Sequence, residues 1–112
     1  LPKKINGIHT IEVQIVDDGS TDKTSEVAAK LGVDRVIRHK HNLGLGTAFK
    51  HGVEAALEHG CDILVNTDGD NQYPSSYIPA LIQPLLDGNA DIVIGNRRPW
   101  KVKHFSPCKR FF

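Results

Sequence analysis

The sequence predicts an α/β protein with a mostly parallel sheet. Three observations lead to this prediction: strand-like and helix-like segments alternate, two of the helix-like segments stop at glycines, and acidic clusters follow strand-like segments. Alternating strands and helices favour βαβ units, in which helices cover the faces of a parallel sheet. We therefore expect a layered α/β sandwich in one small domain.

Four segments are predicted as strands. They are residues 11–16, 35–39, 62–67 and 91–95. The first alternates polar and apolar residues, whereas the third is a continuous apolar run of the kind found in buried strands. Cys61 precedes this third strand and is predicted to be a small core residue, because free cysteines are usually buried.

Three helices are predicted between and around these strands. Apolar residues recur at helical spacing in segments 24–31, 48–57 and 78–86. Gly32 and Gly60 are typical of the positions that follow helix C-termini. In the third helix Pro79 suits the first turn, whereas Pro84 is expected to kink or weaken the helix.

The composition is that of an ordinary soluble globular protein, with 39% hydrophobic and 24% charged residues. No apolar run approaches the roughly 18 residues that a membrane span needs. Cys61 and Cys108 form neither a disulfide framework nor a zinc motif, which favours a cytoplasmic protein with reduced thiols. The chain begins at Leu1 and contains no Met, so we expect it to be part of a longer protein.

Residues 97–112 form a basic and aromatic tail. They hold six of the fourteen Lys and Arg residues, none of the thirteen acidic residues, and also Trp100 and three phenylalanines. Such a mixture suits an anionic membrane surface or a lipid phosphate. A solvated connection whose aromatics pack on further structure explains the pattern at least as well. The basic residues form no motif that reads nucleic acid, so no nucleic-acid partner is expected.

The turn NTDGDNQYP, residues 66–74, places two carboxylates directly after a predicted strand. Asp68 and Asp70 offer the hard oxygen ligands that suit Mg²⁺ or Mn²⁺, which commonly bridge carboxylates to substrate phosphates. Gln72 could add a neutral oxygen. The alternative is a solvated surface turn, because Asp is favourable in turns generally.

Asp17 and Asp18 form a second acidic cluster at the end of the first predicted strand. In parallel sheets ligands bind at the carboxyl ends of the strands, so both acidic clusters mark a candidate site. This pair suits either a helix cap or a hydrogen bond to a nucleoside base or ribose, and the two roles are compatible. The loop NLGLGTA, residues 42–48, is Gly-rich and opens a helix, but it lacks the common phosphate-loop spacings, which favours a tight turn.

Four motifs together resemble glycosyltransferase family 2, and especially dolichol-phosphate mannose synthases and related polyprenyl-phosphate glycosyltransferases. They are VDDGSTD at 16–22, NLGLGTA at 42–48, NTDGDNQYP at 66–74 and IGNR at 94–97. Their order and spacing also resemble the family, over about positions 10 to 110. The resemblance implies a GT-A fold, a Rossmann-like three-layer sandwich. It is incomplete here, since the first strand and the C-terminal half of that fold lie outside this chain.

The resemblance also implies a glycosyltransferase that takes its sugar from a UDP- or GDP-sugar and uses Mg²⁺ or Mn²⁺. A polyprenyl or dolichyl phosphate is the implied acceptor. Asp70 matches the direct metal ligand, Asp68 matches a residue that holds the metal or the donor, and Gln72 completes the ligand set.

Two further matches concern the donor. Asp17 and Asp18 match the acidic pair near the nucleoside, with Asp17 favoured for the base contact, and Arg97 matches a position near the phosphates. Asp70 and Arg97 are therefore the candidate catalytic residues. Because the chain holds only part of such a site, it is expected to be inactive alone.

Two other functions stay open at the level of sequence. One is a non-catalytic nucleotide- or metal-binding module with a GT-A-like core, and the other is a nucleotidyltransferase of similar shape. The expected location is the cytoplasm, or the cytoplasmic face of a membrane if the basic tail binds lipid.

Overall fold

The computed structural model describes residues 1–70 and 72–96. In chain order they form β1 (Gln14–Asp17), α1 (Thr24–Lys30), β2 (Arg35–Arg38), α2 (Leu45–Glu58), a 3₁₀ turn (Ser75–Tyr77) and α3 (Ile78–Leu86). The chain divides into a first compact unit, Leu1–Ser75, and a second unit that begins at Ser76. The three helices fall where helical periodicity predicts them.

The first unit is built on a βαβ arrangement. β1 and β2 pair in parallel, with Gln14 opposite Arg35 and Asp17 opposite Arg38. The pairing starts at Val13, whose carbonyl accepts hydrogen bonds from the backbone N–H groups of Asp34 and Arg35. The Asp34 carboxylate in turn accepts the Val13 N–H at 2.7 Å. The prediction of a parallel sheet is therefore confirmed for these two strands.

The two helices of the first unit, α1 and α2, lie on opposite faces of this sheet. Gln14 on β1 donates a side-chain hydrogen bond to the carbonyl of Gly52 on α2 at 2.8 Å. Val16 also faces α2, because a Cβ at Gly52 would lie 3.1 Å from its Cγ2. Asp17 accepts a hydrogen bond from Ser25 on α1. Since alternate strand residues point to opposite faces, α1 and α2 sandwich the sheet in three layers.

The buried apolar side chains of the first unit are small: among the described residues they are Ala28, Ala48 and Ala56. Ile82 on α3 is the buried apolar residue in the described part of the second unit. Alanine lets a helix approach a sheet closely, and Gly52 does the same where α2 meets β1. Two polar residues, Asp17 and His39, are buried as deeply as these apolar ones, with 3% and 8% exposure. Asp17 and His39 are therefore part of the buried interior of the first unit.

The predicted strands at 62–67 and 91–95 are wrong, since both segments are irregular. Most of their apolar side chains are exposed, and Ile92 and Ile94 show 80% and 86% of their surface, whereas Ile63 and Val93 are half-buried. A strand requires a neighbour that supplies a ladder of hydrogen bonds, and among residues 1–70 and 72–96 only β1 and β2 pair. Cys61 is exposed as well, which corrects its predicted place in the core.

The second unit is described here by α3 and the segment that follows it. Pro79 lies in the first turn of α3, as predicted. The helix continues through Pro84 and ends at Leu86, although Pro84 has no N–H to donate to the carbonyl of Ala80. Segment 91–96 passes against α3, where a Cβ at Gly95 would contact Leu81 at 3.5 Å. In the part of the chain that the structure covers, no helix has the length and apolarity to cross a membrane.

Candidate functional site

The first acidic cluster lies where β1 ends. The Asp17 side chain is buried, and its Oδ1 accepts the Ser20 N–H at 2.8 Å while its Oδ2 accepts the Ser25 hydroxyl. Arg38 Nε lies 3.8 Å from the same carboxylate. Hydrogen bonds from Ser20 and Ser25 lower the pKa of Asp17 from 3.8 to about 2, against the opposing effect of burial. Asp17 is thus an ionised residue that ties the turn to α1.

Asp18 makes a separate set of contacts. Its carboxylate accepts hydrogen bonds from His39 Nδ1 at 2.7 Å, from the Leu43 N–H at 2.8 Å and from the Gly44 N–H at 2.9 Å. These bonds, led by the one from His39, lower the pKa of Asp18. About 19% of its side chain remains exposed. Asp18 therefore joins the turn after β1 to the loop that precedes α2 and keeps one edge open to solvent.

Gly19 brings the same turn against that loop. Its φ is +80°, a conformation that favours glycine, and a Cβ there would lie 2.5 Å from the backbone carbon of His41. The nitrogen of Asn42 would be equally close, at 2.6 Å. The glycine of VDDGSTD is therefore required by backbone contact as well as by conformation.

The Gly-rich loop behaves as a tight turn. Gly44 is the N-cap of α2, with φ of 91° and ψ of 154°. Its N–H donates to Asp18 and to Asn42 Oδ1, and the Leu43 N–H also donates to Asp18. These two backbone donors bind a carboxylate of the chain itself, which favours the tight-turn interpretation for this part of NLGLGTA.

Two histidines extend the cluster, and the sequence analysis did not identify them. His39 follows β2 directly, and its Nε2 lies 2.9 Å from Nδ1 of His51 on α2. The two rings meet edge to face with centroids 4.9 Å apart. Only the position of His39 indicated a place near a ligand site, because this residue lies at the carboxyl end of a predicted parallel strand. Nothing in the spacing of His39 and His51 indicates their contact.

A cleft opens at the carboxyl ends of β1 and β2. Its volume is about 300 Å³, and it is lined by Ser20, Arg38, His39 and Lys40. Two of these four side chains, Arg38 and Lys40, are cationic. The Asp17 carboxylate lies beside Arg38, and the Asp18 carboxylate lies beside His39. The cleft therefore offers charges of both signs at the position where parallel sheets bind ligands.

The second acidic turn is exposed. Asp70 Oδ1 accepts the Gln72 N–H at 3.0 Å, a local bond that shapes the turn. Asp68, Asp70 and Gln72 all lie at the surface. Two carboxylates and an amide oxygen fit a hard divalent cation that also binds phosphate oxygens. Over residues 1–70 and 72–96, however, no three His, Cys, Asp or Glu side chains come together as a metal site, so this turn is not joined to the first acidic cluster in that way.

Arg97 and the tail 97–112 lie outside the described residues, as does Asn71. What the structure does define is a class of protein: a Rossmann-like α/β sandwich with a polar, partly charged site at the carboxyl ends of its parallel strands.

The chain belongs to glycosyl transferase family 2, since the model of that family matches residues 6–106. This match confirms the resemblance that the four motifs indicate. It spans both acidic turns and the Gly-rich loop. The observed parallel sheet between helices is consistent with an incomplete GT-A fold.

Three relatives show the range of similarity. An uncharacterised protein of Methanocaldococcus jannaschii is 41% identical over 76% of this chain and 35% of its own length. A UDP-N-acetylglucosamine–dolichyl-phosphate N-acetylglucosaminyltransferase of Methanococcus voltae is 32% identical over 86% of this chain and 45% of its own. A polyprenol monophosphomannose synthase of Mycolicibacterium smegmatis is 32% identical over 87% and 40%. The chain thus spans less than half the length of these relatives, and no solved structure matches it significantly.

Proposed function

We propose that the whole protein transfers a sugar from a UDP- or GDP-sugar to a polyprenyl or dolichyl phosphate. The observation that carries the proposal is the family match over residues 6–106, which contains both acidic turns. Two relatives whose names state dolichyl-phosphate or polyprenol products or acceptors support the acceptor class. The cleft at the carboxyl ends of β1 and β2 supports a ligand site in the same unit.

The proposed metal ligands are Asp68, Asp70 and Gln72, with Mg²⁺ or Mn²⁺ as the cation. Their oxygen donors and surface position leave room for phosphate oxygens to complete the coordination. When bound, the cation would offset the negative charge that develops on the nucleoside diphosphate as the sugar departs. The hydrogen bond from the Gln72 N–H to Asp70 supports this assignment, because it orients one carboxylate before any cation arrives.

The donor nucleoside is proposed to bind beside Asp17 and Asp18. The exposed edge of Asp18 supports this residue as the direct acceptor for an N–H or O–H of the base or ribose. Asp17, which the family resemblance favours for the base contact, is buried and bonded to Ser20 and Ser25. We therefore give Asp17 the role of holding the turn that presents Asp18.

Arg97 is proposed to bind the donor phosphates through its guanidinium group, which suits phosphate oxygens. A polyprenyl phosphate carries its own nucleophilic oxygen. A strong general base is therefore unnecessary for attack on the sugar, and charge stabilisation at the departing diphosphate becomes the main requirement.

The test is a titration of the full-length protein with Mn²⁺ and UDP or GDP. Asp70→Ala is expected to weaken the metal-dependent nucleotide affinity by roughly tenfold or more, because a carboxylate ligand is lost. Asp62→Ala, which removes an exposed carboxylate from the same unit, is the matched control and should bind as the wild type does. An unchanged affinity in Asp70→Ala would show that the metal assignment is wrong.

A transfer assay separates the proposed enzyme from the two other functions. Full-length protein should move a labelled sugar from UDP- or GDP-sugar to a polyprenyl phosphate and release the nucleoside diphosphate. Nucleotide binding without transfer would indicate a binding module. Release of inorganic diphosphate from a nucleoside triphosphate would indicate a nucleotidyltransferase.

A further inference from the structure

The proposed chemistry leaves one buried group of the first unit without a role. His39 is only 8% exposed, and it lies between Asp18 of the turn after β1 and His51 of α2. A buried imidazole needs partners for both ring nitrogens, and His39 has one for each. Its backbone N–H is also fixed, since it donates to the carbonyl of Asp17 at 2.9 Å.

The hydrogen bonds define where the protons lie. An ionised carboxylate only accepts, so Nδ1 of His39 carries the proton that it donates to Asp18 across 2.7 Å. In neutral His39 the Nε2 atom then accepts, and the proton between the two imidazoles belongs to Nδ1 of His51. The bond from His51 therefore selects the tautomer of His39 that can bind Asp18.

The same bonds fix the orientation of the Asp18 carboxylate. A carboxylate offers about four acceptor positions, and His39, Leu43 and Gly44 fill three of them. The two backbone donors hold Asp18 from the side of the loop, and His39 holds it from the end of β2. One acceptor position and an exposed edge remain for a donor group of a ligand.

We infer that His39 is a positioning residue of the donor site, which orients Asp18 toward the nucleoside and is itself held in the required tautomer by His51. This inference rests on the proposed function, since it assumes that Asp18 contacts the nucleoside part of a UDP- or GDP-sugar. The ligand group that it serves is an N–H or O–H donor of the base or ribose. The diphosphate part of the donor lies outside its influence.

Paired substitutions test the inference on the full-length protein. The amide nitrogen of Asn occupies roughly the place of imidazole Nδ1, and that of Gln the place of Nε2. His39→Asn therefore keeps a donor for Asp18, whereas His39→Gln removes it at similar size. His51→Asn and His51→Leu make the same comparison one step further from Asp18. His59→Gln, at an exposed histidine that follows α2, is the control.

The measurement is the dissociation constant, with Mn²⁺ present, of whichever of UDP and GDP the wild type binds, and of inorganic diphosphate. We expect His39→Gln to weaken nucleotide binding by roughly tenfold and diphosphate binding by less than about twofold, as the loss of a hydrogen bond to a charged group implies. His39→Asn should stay near the wild type. His51→Leu should weaken nucleotide binding by about threefold, and His51→Asn should not.

Each other outcome contradicts the inference. Equal losses for the nucleotide and for diphosphate in His39→Gln would assign His39 a purely structural role. Unchanged nucleotide binding would remove any role at the donor site. If His39→Gln does not fold, the two variants of His51 decide the question by the same comparison. A wild type that binds neither UDP nor GDP would overturn the proposed function itself, and this result is visible before any variant is made.

Discussion

At the scale of single residues, the acidic turn after β1 shows two neighbouring carboxylates with different tasks. Asp17 points to α1 and is buried, whereas Asp18 is bonded to the end of β2 and to the loop before α2. Adjacent residues on a strand face opposite sides of the sheet, which explains why the pair separates. The repulsion between the two charges is offset because each carboxylate accepts hydrogen bonds from its own set of donors.

The lowered pKa of Asp17 predicts how stability depends on pH. Because its pKa in the folded state, about 2, lies below its ordinary value of 3.8, ionised Asp17 stabilises the fold fully above about pH 5. This stabilisation is lost progressively as the pH falls from about 4 through 2. Asp17→Asn should lower the free energy of unfolding by about 1–3 kcal/mol at neutral pH, since a buried acceptor is replaced by a donor.

Urea unfolding of the wild type and of Asp17→Asn at about pH 7, 4 and 2.5 measures this effect. The difference in free energy of unfolding between the two proteins should become smaller as the pH falls. Protonation of Asp17 removes from the wild type the negative charge that Asp17→Asn lacks at every pH. Asp91→Asn, at an exposed position, provides the control without a pH-dependent gap. A gap of constant size across this range would contradict the role given to the charge of Asp17.

At the scale of elements, the close approach of α2 to β1 positions His51 and the loop that binds Asp18. Gly52 allows this approach because it has no side chain. The Gln14 side chain stabilises it by donating a hydrogen bond to the Gly52 carbonyl. The same side chain accepts a hydrogen bond from Arg35 on β2 at 3.1 Å. Helical periodicity predicts that α2 has an apolar face that packs against another part of the protein. It does not specify which strand the helix covers, because that depends on contacts between residues far apart in the chain.

Gly52→Leu is expected to destabilise the protein by about 1–3 kcal/mol or more, because the new side chain would meet Val16 where a Cβ already lies at 3.1 Å. Gly46→Leu is the matched control in the same helix. A Cβ at Gly46 has no atom within 4 Å, so this change should be near neutral or slightly stabilising through helix propensity. Thermal unfolding of both variants compares them, and equal stabilities would contradict the packing of α2 on β1.

Two predicted strands do not form in the described structure. Segments 62–67 and 91–95 have the composition of strands, and composition describes only what a segment prefers. Pairing depends on a neighbour in space, and none of the residues described here supplies one. A helix, in contrast, makes its hydrogen bonds within itself. For this reason the sequence predicted α1, α2 and α3 correctly.

At the scale of the whole molecule, charge is divided between an acidic body and the basic tail 97–112. We propose that this tail binds an anionic membrane surface; the alternative is a solvated connection whose aromatics pack on further structure. Basic residues near such a surface contribute about 1 kcal/mol each, and salt screens the attraction.

Co-sedimentation with anionic vesicles at low salt tests the tail in the full-length protein. Replacing Lys101, Lys103, Lys109 and Arg110 with Gln should weaken binding by about 4 kcal/mol, on the order of a thousandfold. The same change at Lys3, Lys4, Lys23 and Lys30 is the control and should matter less. Binding that resists high salt, or a wild type that does not sediment with anionic vesicles, would rule out the electrostatic role.

The sequence by itself determined the class of fold, the three helices, the family and the acidic residues, since each of these depends on local pattern or on short motifs in order. Only the tertiary structure decided that Asp17 is buried, that Asp18 binds His39 and the Gly44 loop, and that His51 completes the chain of contacts. Residues 18, 39 and 51 lie far apart along the chain, and no periodicity connects them. Their contact arises because β1 and β2 run parallel and end side by side, which places the turn after one strand against the residue after the other.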